Sequence, residues 1–216
     1  MGDLARAEEE WRLVTREVPH YRAGWHGLGD VLIRNSRGRQ ALSVAEHCLS
    51  QPRLRVVGHL LRSRLALAAG DITAAQAEVD EALAEAPTDR AALEVKCQLL
   101  FDHGPPSTAE AALRSLVKYY PDDASGHHNL GTLLLQFKRY DEAVRSLWQA
   151  LRHRADAPAT YLHLGFALKE SGRIDEAVAA WQQVLRLAPN DPTARAELKQ
   201  AALSASRTNV ELSLRR

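Results

Sequence analysis

Nine histidines and two cysteines are the side chains of this 216-residue chain best suited to holding a metal. The densest histidine set is His127-His128 with His163. Neighbouring residues on a helix point about 100° apart, and no two histidines stand four apart, so this spacing assembles no ligand set. Cys48 and Cys97 fall on different expected helices at small-residue positions, which reads as two inert buried thiols rather than a disulfide. So few cysteines fit a reducing, cytoplasmic setting. Gly24, Gly27 and Gly29 lie on an expected helix, not between a strand and a helix, so they form no phosphate loop. No nucleophile with a base is apparent, and we expect no catalytic residue, no metal and no cofactor. The remaining chemistry is charge. Arginine recognises carboxylate and phosphate in a bidentate manner, and seven arginines (34, 37, 39, 53, 55, 62 and 64) stand within residues 31–70.

The total charge hides this cluster. Lys and Arg number 28 against 27 Asp and Glu, a net of +1. By segment, residues 31–70 carry +6 and residues 71–123 carry −7. The cluster is either an anion site or is neutralised by the acidic segment beside it. The near-neutral total gives no reason to expect nucleic acid or a membrane surface, and the basic stretch is interrupted by a strongly acidic unit rather than extending along the array. At 45% hydrophobic the chain is too apolar to be disordered, and it has no apolar run long enough to span a bilayer. The first ten residues lack the apolar stretch of a secretory signal.

The elements that would position these groups follow a repeat. Ala7, Ala41, Ala75, Ala109, Ala143 and Ala177 are each 34 residues apart. Pro19, Pro87, Pro121 and Pro189 lie on a second lattice of that period, with Arg53 and Ala155 at its empty points. Small residues occupy a third (Gly29, Ser63, Cys97, Gly131, Gly165), and Leu or Val a fourth (Leu49, Leu83, Val117, Leu151, Leu185). Each unit reads as two helices. In residues 158–191, Pro158 opens the first and Tyr161, Leu164 and Leu168 follow at helical spacing. Ser171-Gly172 ends it. Asp175-Glu176 opens a second helix with the stripe Ala177, Trp181, Val184 and Leu185, and Pro189 closes the unit.

On these residues the chain resembles the tetratricopeptide repeat (TPR) family, in the form of a bacterial-type array. Residues 158–191 supply Tyr161, Leu164-Gly165, Leu168, Ala177, Trp181 and Pro189 of the family pattern. Residues 124–157 supply His127, Leu130-Gly131, Leu134, Ala143 and Leu147, and residues 22–55 supply Trp25, Leu28-Gly29, Leu32 and Ala41. Units 56–89 and 90–123 are degenerate, with Arg62 and Lys96 in a leucine position. The resemblance implies an all-α fold, a right-handed α-α superhelix of one half repeat, five full repeats and a C-terminal capping helix. Residues 1–21 are then the second helix of a truncated repeat, 192–204 the cap and 205–216 a loose tail. With its first helix missing, the N-terminal stripe of Leu4, Ala7, Trp11, Val14 and Thr15 is an apolar patch in need of cover. The array could continue upstream, the patch could meet a partner or a second copy through Leu4 and Trp11, or the helix could fray.

The resemblance also implies a function. First helices of successive TPR units line a groove for peptides, and the positions carried over are His26, Asp30, Ile33, Leu60, Arg64, Glu94, Gln98, Phe101, His128, Asn129, Thr132, Leu162, Phe166 and Lys169. The carboxylate clamp of chaperone-binding members is not expected, because its slots hold His26, Asp30 and Leu61 and only Asn129 matches. The expectation is a non-catalytic scaffold for a protein or peptide partner, without nucleic acid or membrane. The alternative is a C-terminal accessory, substrate-recruiting module of a larger bacterial enzyme such as a glycosyltransferase.

Overall fold

A computed structural model describes residues 2–214, with side chains from residue 3 to 204. The described residues form twelve α-helices and no strand: α1 (Gly2–Glu17), α2 (Arg22–Arg34), α3 (Gly38–Ser50), α4 (Arg55–Ala68), α5 (Ile72–Glu85), α6 (Arg90–His103), α7 (Pro106–Tyr119), α8 (Ala124–Gln136), α9 (Tyr140–His153), α10 (Pro158–Glu170), α11 (Ile174–Leu187) and α12 (Pro192–Leu214). The chain divides into two compact units, residues 1–112 and 113–216.

The turns show why the helices start and stop where they do. Asp71, Asp89, Asp123 and Asp191 each accept a bond from the backbone N–H three residues on, at 2.9, 3.1, 2.6 and 2.7 Å, which satisfies one orphan donor of the helix that follows. Between the two helices of a repeat the chain reverses through one residue of positive φ: Ser36 (58°), Gly70 (79°), Lys138 (59°) and Gly172 (80°). The next residue's N–H then returns to the carbonyl five positions back, Arg37 to Leu32, Asp71 to Ala66 and Arg139 to Leu134 at 2.9 Å and Arg173 to Leu168 at 2.8 Å. This is the Schellman closure of a helix C-terminus. Gly104 stands at the equivalent position with φ −93°, and Pro105-Pro106 carries the chain straight into α7.

In the first unit, Leu32, Leu54, Leu60 and Leu61 are fully buried. Gly29 lets Leu61 of α4 settle directly on the α2 backbone, where any Cβ would collide with the leucine. The leucine position that holds Arg62 and Lys96 is filled by ion pairs instead of apolar contact. Arg62 Nε lies 3.0 Å from Glu78 Oε1, and Lys96 pairs with Asp80, so α5 is gripped from both α4 and α6. The stripe of α1 is not bare. Trp11 lies on Gly27 of α2 and joins the cluster of Leu28, Leu32 and Ala41, while Thr15 is buried. Glu8, 7% exposed, accepts from Arg37 at 2.7 and 2.9 Å and from Arg12 at 3.0 Å, which ties α1 to the turn before α3. Helix α1 begins at Gly2, and Asp3 complements the dipole of its first turn.

In the second unit the fully buried side chains include Leu134, Leu147, Leu164, Leu168, Trp181 and Val184. A Cβ at Gly131 would come within 2.6 Å of Leu147, and one at Gly165 would overlap Trp181. In this unit the two glycines therefore mark where the second helix of a repeat lays a large buried side chain on the backbone of the first. Helix α12 continues to Leu214, past Ser204 where a loose tail was expected. Residues 201–214 contain neither Gly nor Pro, so nothing in that stretch halts the helix.

Candidate functional site

Helices α2, α4, α6, α8 and α10 carry all fourteen positions assigned to a ligand groove. Within the first unit α1, α2, α4 and the start of α6 line an open pocket of about 480 Å³. Trp11, Gly27, Val57, Leu60 and Ala91 form its apolar lining; Arg22, His26, Asp89 and Arg90 supply its polar groups. Arg22 Nη2 meets Asp89 Oδ2 at 2.6 Å, which links the start of α2 to the N-cap of α6 across α4. Burial first, and then the Arg64 charge, hold the His26 imidazole below its usual pKa, so the ring is a neutral hydrogen-bonding group at pH 7. Asp30 is shared by Arg64 and by Arg34 at 3.4 Å. Glu94 accepts from Arg90 Nε at 2.8 Å, and Gln98 Nε2 donates to Asp102 Oδ2 at 2.7 Å. Phe101 is half-buried. Two assigned residues serve the core. Leu60 is 1% exposed, so it reaches this face only as cavity floor, and Ile33 packs against the clusters around Leu32 and Leu61.

Within the second unit, His128 and His163 face each other with ring centroids 5.2 Å apart. Thr132 Oγ1 donates to the His128 carbonyl at 3.0 Å. Its one proton is thereby used, so the contact at 3.3 Å with His163 Nδ1 requires that nitrogen to donate. His128 Nδ1 lies 2.9 Å from Thr160 Oγ1. Burial lowers the pKa of both rings, and each is neutral at pH 7. Lys169 is held at 2.7 Å by Glu197 and lies 5.9 Å over the Trp181 ring, whose edge Phe166 also meets. Asn129 and Leu162 are half-buried beside this row.

The model of the tetratricopeptide repeat family matches residues 66–132 and 134–202, well over half of the chain. The chain belongs to the tetratricopeptide repeat family. No curated protein matches it over its sequence. Solved structures share the all-α helical-repeat superhelix fold of this TPR chain. In the APC/C hetero-tetramer Cut9-Hcn1 one chain aligns with a TM-score of 0.68 at 18% identity, over 93% of this chain and 40% of that one. YrrB, described as a TPR protein with an unusual peptide-binding site, aligns with a TM-score of 0.67 at 13% identity, over 89% of this chain and 100% of its own. MamA aligns at 0.63 and 19% identity, over 79% and 93%.

Residues outside the assigned positions also build these faces. Arg22, Asp89 and Trp11 at the cavity, and Thr160, His163 and Glu197 in the second unit, were not among the assigned positions. His163 stands 35 residues after His128, one lattice step and one residue. That spacing was visible as a dense histidine set but has no meaning until adjacent first helices are known to pack side by side. His127 belongs elsewhere. It stacks on His153 at 6.3 Å and bonds to the turn before α8. The arginine cluster is largely neutralised: Arg34 and Arg64 by Asp30, Arg37 by Glu8, Arg55 by Glu85 and Arg62 by Glu78. Burial raises the Cys48 thiol to about 12, which makes it an inert packing group. Among the described residues no group of three or more His, Cys, Asp or Glu is placed to hold a metal, and no helix is long and apolar enough to cross a membrane.

Proposed function

We propose that this chain is a non-catalytic scaffold that takes an extended peptide or a partner segment on the faces of its first helices. The cavity beside His26 carries the reading. It offers an apolar seat for one side chain, and around it a neutral imidazole and two arginines that can bond to a peptide backbone. The row of His128, Asn129, Thr132, Leu162 and Phe166 supplies a similar mixture of apolar surface and hydrogen-bonding groups in the second unit. YrrB, with its peptide-binding site, supports the reading by likeness of fold.

Partner capture with wild-type chain and with Arg64→Glu and Glu94→Lys variants tests it. Both side chains are at least partly exposed, so each variant can be checked for an unchanged circular dichroism spectrum first. The expected result is a changed set of partners. An identical set from all three proteins overturns the groove assignment.

A further inference from the structure

Helix α1 is covered by α2 on one side, and its other side is open. The comparison that shows this is with α5, the second helix two lattice steps of 34 later. Ala75, Val79 and Ala82 of α5 are fully buried, whereas their counterparts Ala7, Trp11 and Val14 are half-buried. The difference lies on the side that α4 takes in the later repeat. Glu78 of α5 faces α4, and Glu10 in the same register is exposed.

The acids of the two helices also correspond. Asp3, Glu10 and Glu17 stand seven apart, on one flank of α1 beside Ala7 and Val14, and match Asp71, Glu78 and Glu85. Asp71 caps α5, and α4 supplies cations to the other two. His59 Nδ1 and Arg62 Nε lie 2.9 and 3.0 Å from Glu78, and Arg55 Nη2 lies 2.9 Å from Glu85. On α1 the row meets one cation. Arg6 Nε bonds Glu10 at 3.0 Å, with the two side chains 81% and 64% exposed. Asp3 and Glu17 make no ion pair among the described residues, Arg12 is turned to Glu8, and Arg16 stands about 120° around the helix from Glu10. The flank is therefore an apolar seam with a net negative edge.

We propose that the open side of α1 docks one basic amphipathic helix of a partner protein. That helix stands on α1 as α4 stands on α5, packs small or aliphatic side chains on Ala7 and Val14, and sets Lys or Arg against Glu10 and Glu17. Half-buried apolar groups edged by acids fit such a helix, and the pairs of α4 with α5 show the charge pattern it needs. Two copies of α1 set face to face would oppose acid with acid, which disfavours a homodimer through this side. The site is separate from the groove residues of the first helices and does not rest on them.

The test is a display library of random helical peptides, panned on the full chain. Binders recovered on wild type are measured again on Ala7→Arg, on the double variant Glu10→Lys with Glu17→Lys, and on Arg64→Glu. Ala7→Arg blocks the seam, and the double variant touches only exposed side chains. Thermal melts check that each variant folds, and sedimentation velocity of the chain alone reports self-association. The expected result is a class of basic amphipathic peptides that lose at least about tenfold in affinity on the first two variants and are unaffected by Arg64→Glu, with a chain that is monomeric without peptide. Three results overturn the proposal: no peptide responds to the double variant, those that respond are acidic or uncharged, or the chain self-associates through a contact that Ala7→Arg abolishes. Failure of the first-helix reading would show separately, as an absence of peptides sensitive to Arg64→Glu.

Discussion

His127 Nε2 lies 3.0 Å from the carbonyl oxygen of Pro121, six residues earlier, and closes the turn that leads into α8. A carbonyl only accepts, so Nε2 carries a proton. Trp25 Nε1 does the same to Pro19 at 2.7 Å, and an Arg195 Nη2 to Pro189 at 2.6 Å. At these three positions the aromatic register of the repeat is a donor register as well as a packing one, and imidazole and guanidinium serve in it. His127→Phe keeps the bulk and loses the donor. It should lower stability by about 0.5–1 kcal/mol in urea melts, whereas His127→Trp should be close to neutral.

Two repeat turns place a non-glycine residue in the left-handed region, Ser36 and Lys138. Glycine relieves that strain and adds some unfolded-state entropy. Lys138→Gly and Ser36→Gly should each raise stability by about 0.5–1 kcal/mol, and Gly172→Ala should lower it by about 1 kcal/mol, all measurable by thermal denaturation.

Gly165 tests the packing of the second unit. A methyl group there would overlap Trp181 Nε1, and Trp181 is 1% exposed. Gly165→Ala should cost about 2–3 kcal/mol in spite of alanine's better helix propensity. Gly38→Ala, where the nearest neighbour is 3.9 Å away, should be neutral or slightly stabilising. Urea midpoints of the two variants separate these signs.

The buried histidines set a pH response. Folding lowers the pKa of His26, His128 and His163 below the ordinary imidazole value of about 6.5, so the unfolded chain binds more protons in that interval. Their contribution is complete above about 6.5, falls as the pH drops through the interval and is lost below the folded-state values. The urea midpoint should decline between pH 7.5 and pH 5, and His163→Gln should flatten that decline, since burial is what lowers its pKa.

Glu8 pins α1. Removing its carboxylate leaves Arg37 Nη1 without the two oxygens it bonds. Glu8→Ala should lower the opening free energy of α1 by about 1–2 kcal/mol, seen as faster hydrogen exchange there and unchanged exchange in α8–α11.

Much of this fold is legible in the sequence because a solenoid repeats one local solution. Ala143 and Ala177, Gly131 and Gly165, and the turn residues at 70 and 172 occupy fixed places in a lattice of 34, so each helix can be found from its neighbours. The site is legible only as far as that lattice reaches. It gives the helix face on which His26, His128 and Phe166 stand. It does not give Leu60 as a buried floor, because burial there depends on α5 and α6 closing over α4. Nor does it give Arg22 against Asp89, 67 residues apart, or the two threonines that fix the histidine pair. The cover over Trp11 was missed for a related reason. In two repeats of the second unit the side chain in that register packs on a glycine sixteen residues earlier, Leu147 on Gly131 and Trp181 on Gly165, whereas Trp11 packs forward on Gly27.

The central claim is that partners engage the first-helix faces. It is tested most directly by placing a photo-crosslinking benzoylphenylalanine at His26, at Leu162 and, as a control, at the exposed Glu46 of α3, then irradiating each protein with a lysate of its host. The account predicts that the same partner is captured from positions 26 and 162 and none from 46. Capture from 46 with none from 26 and 162 would contradict it.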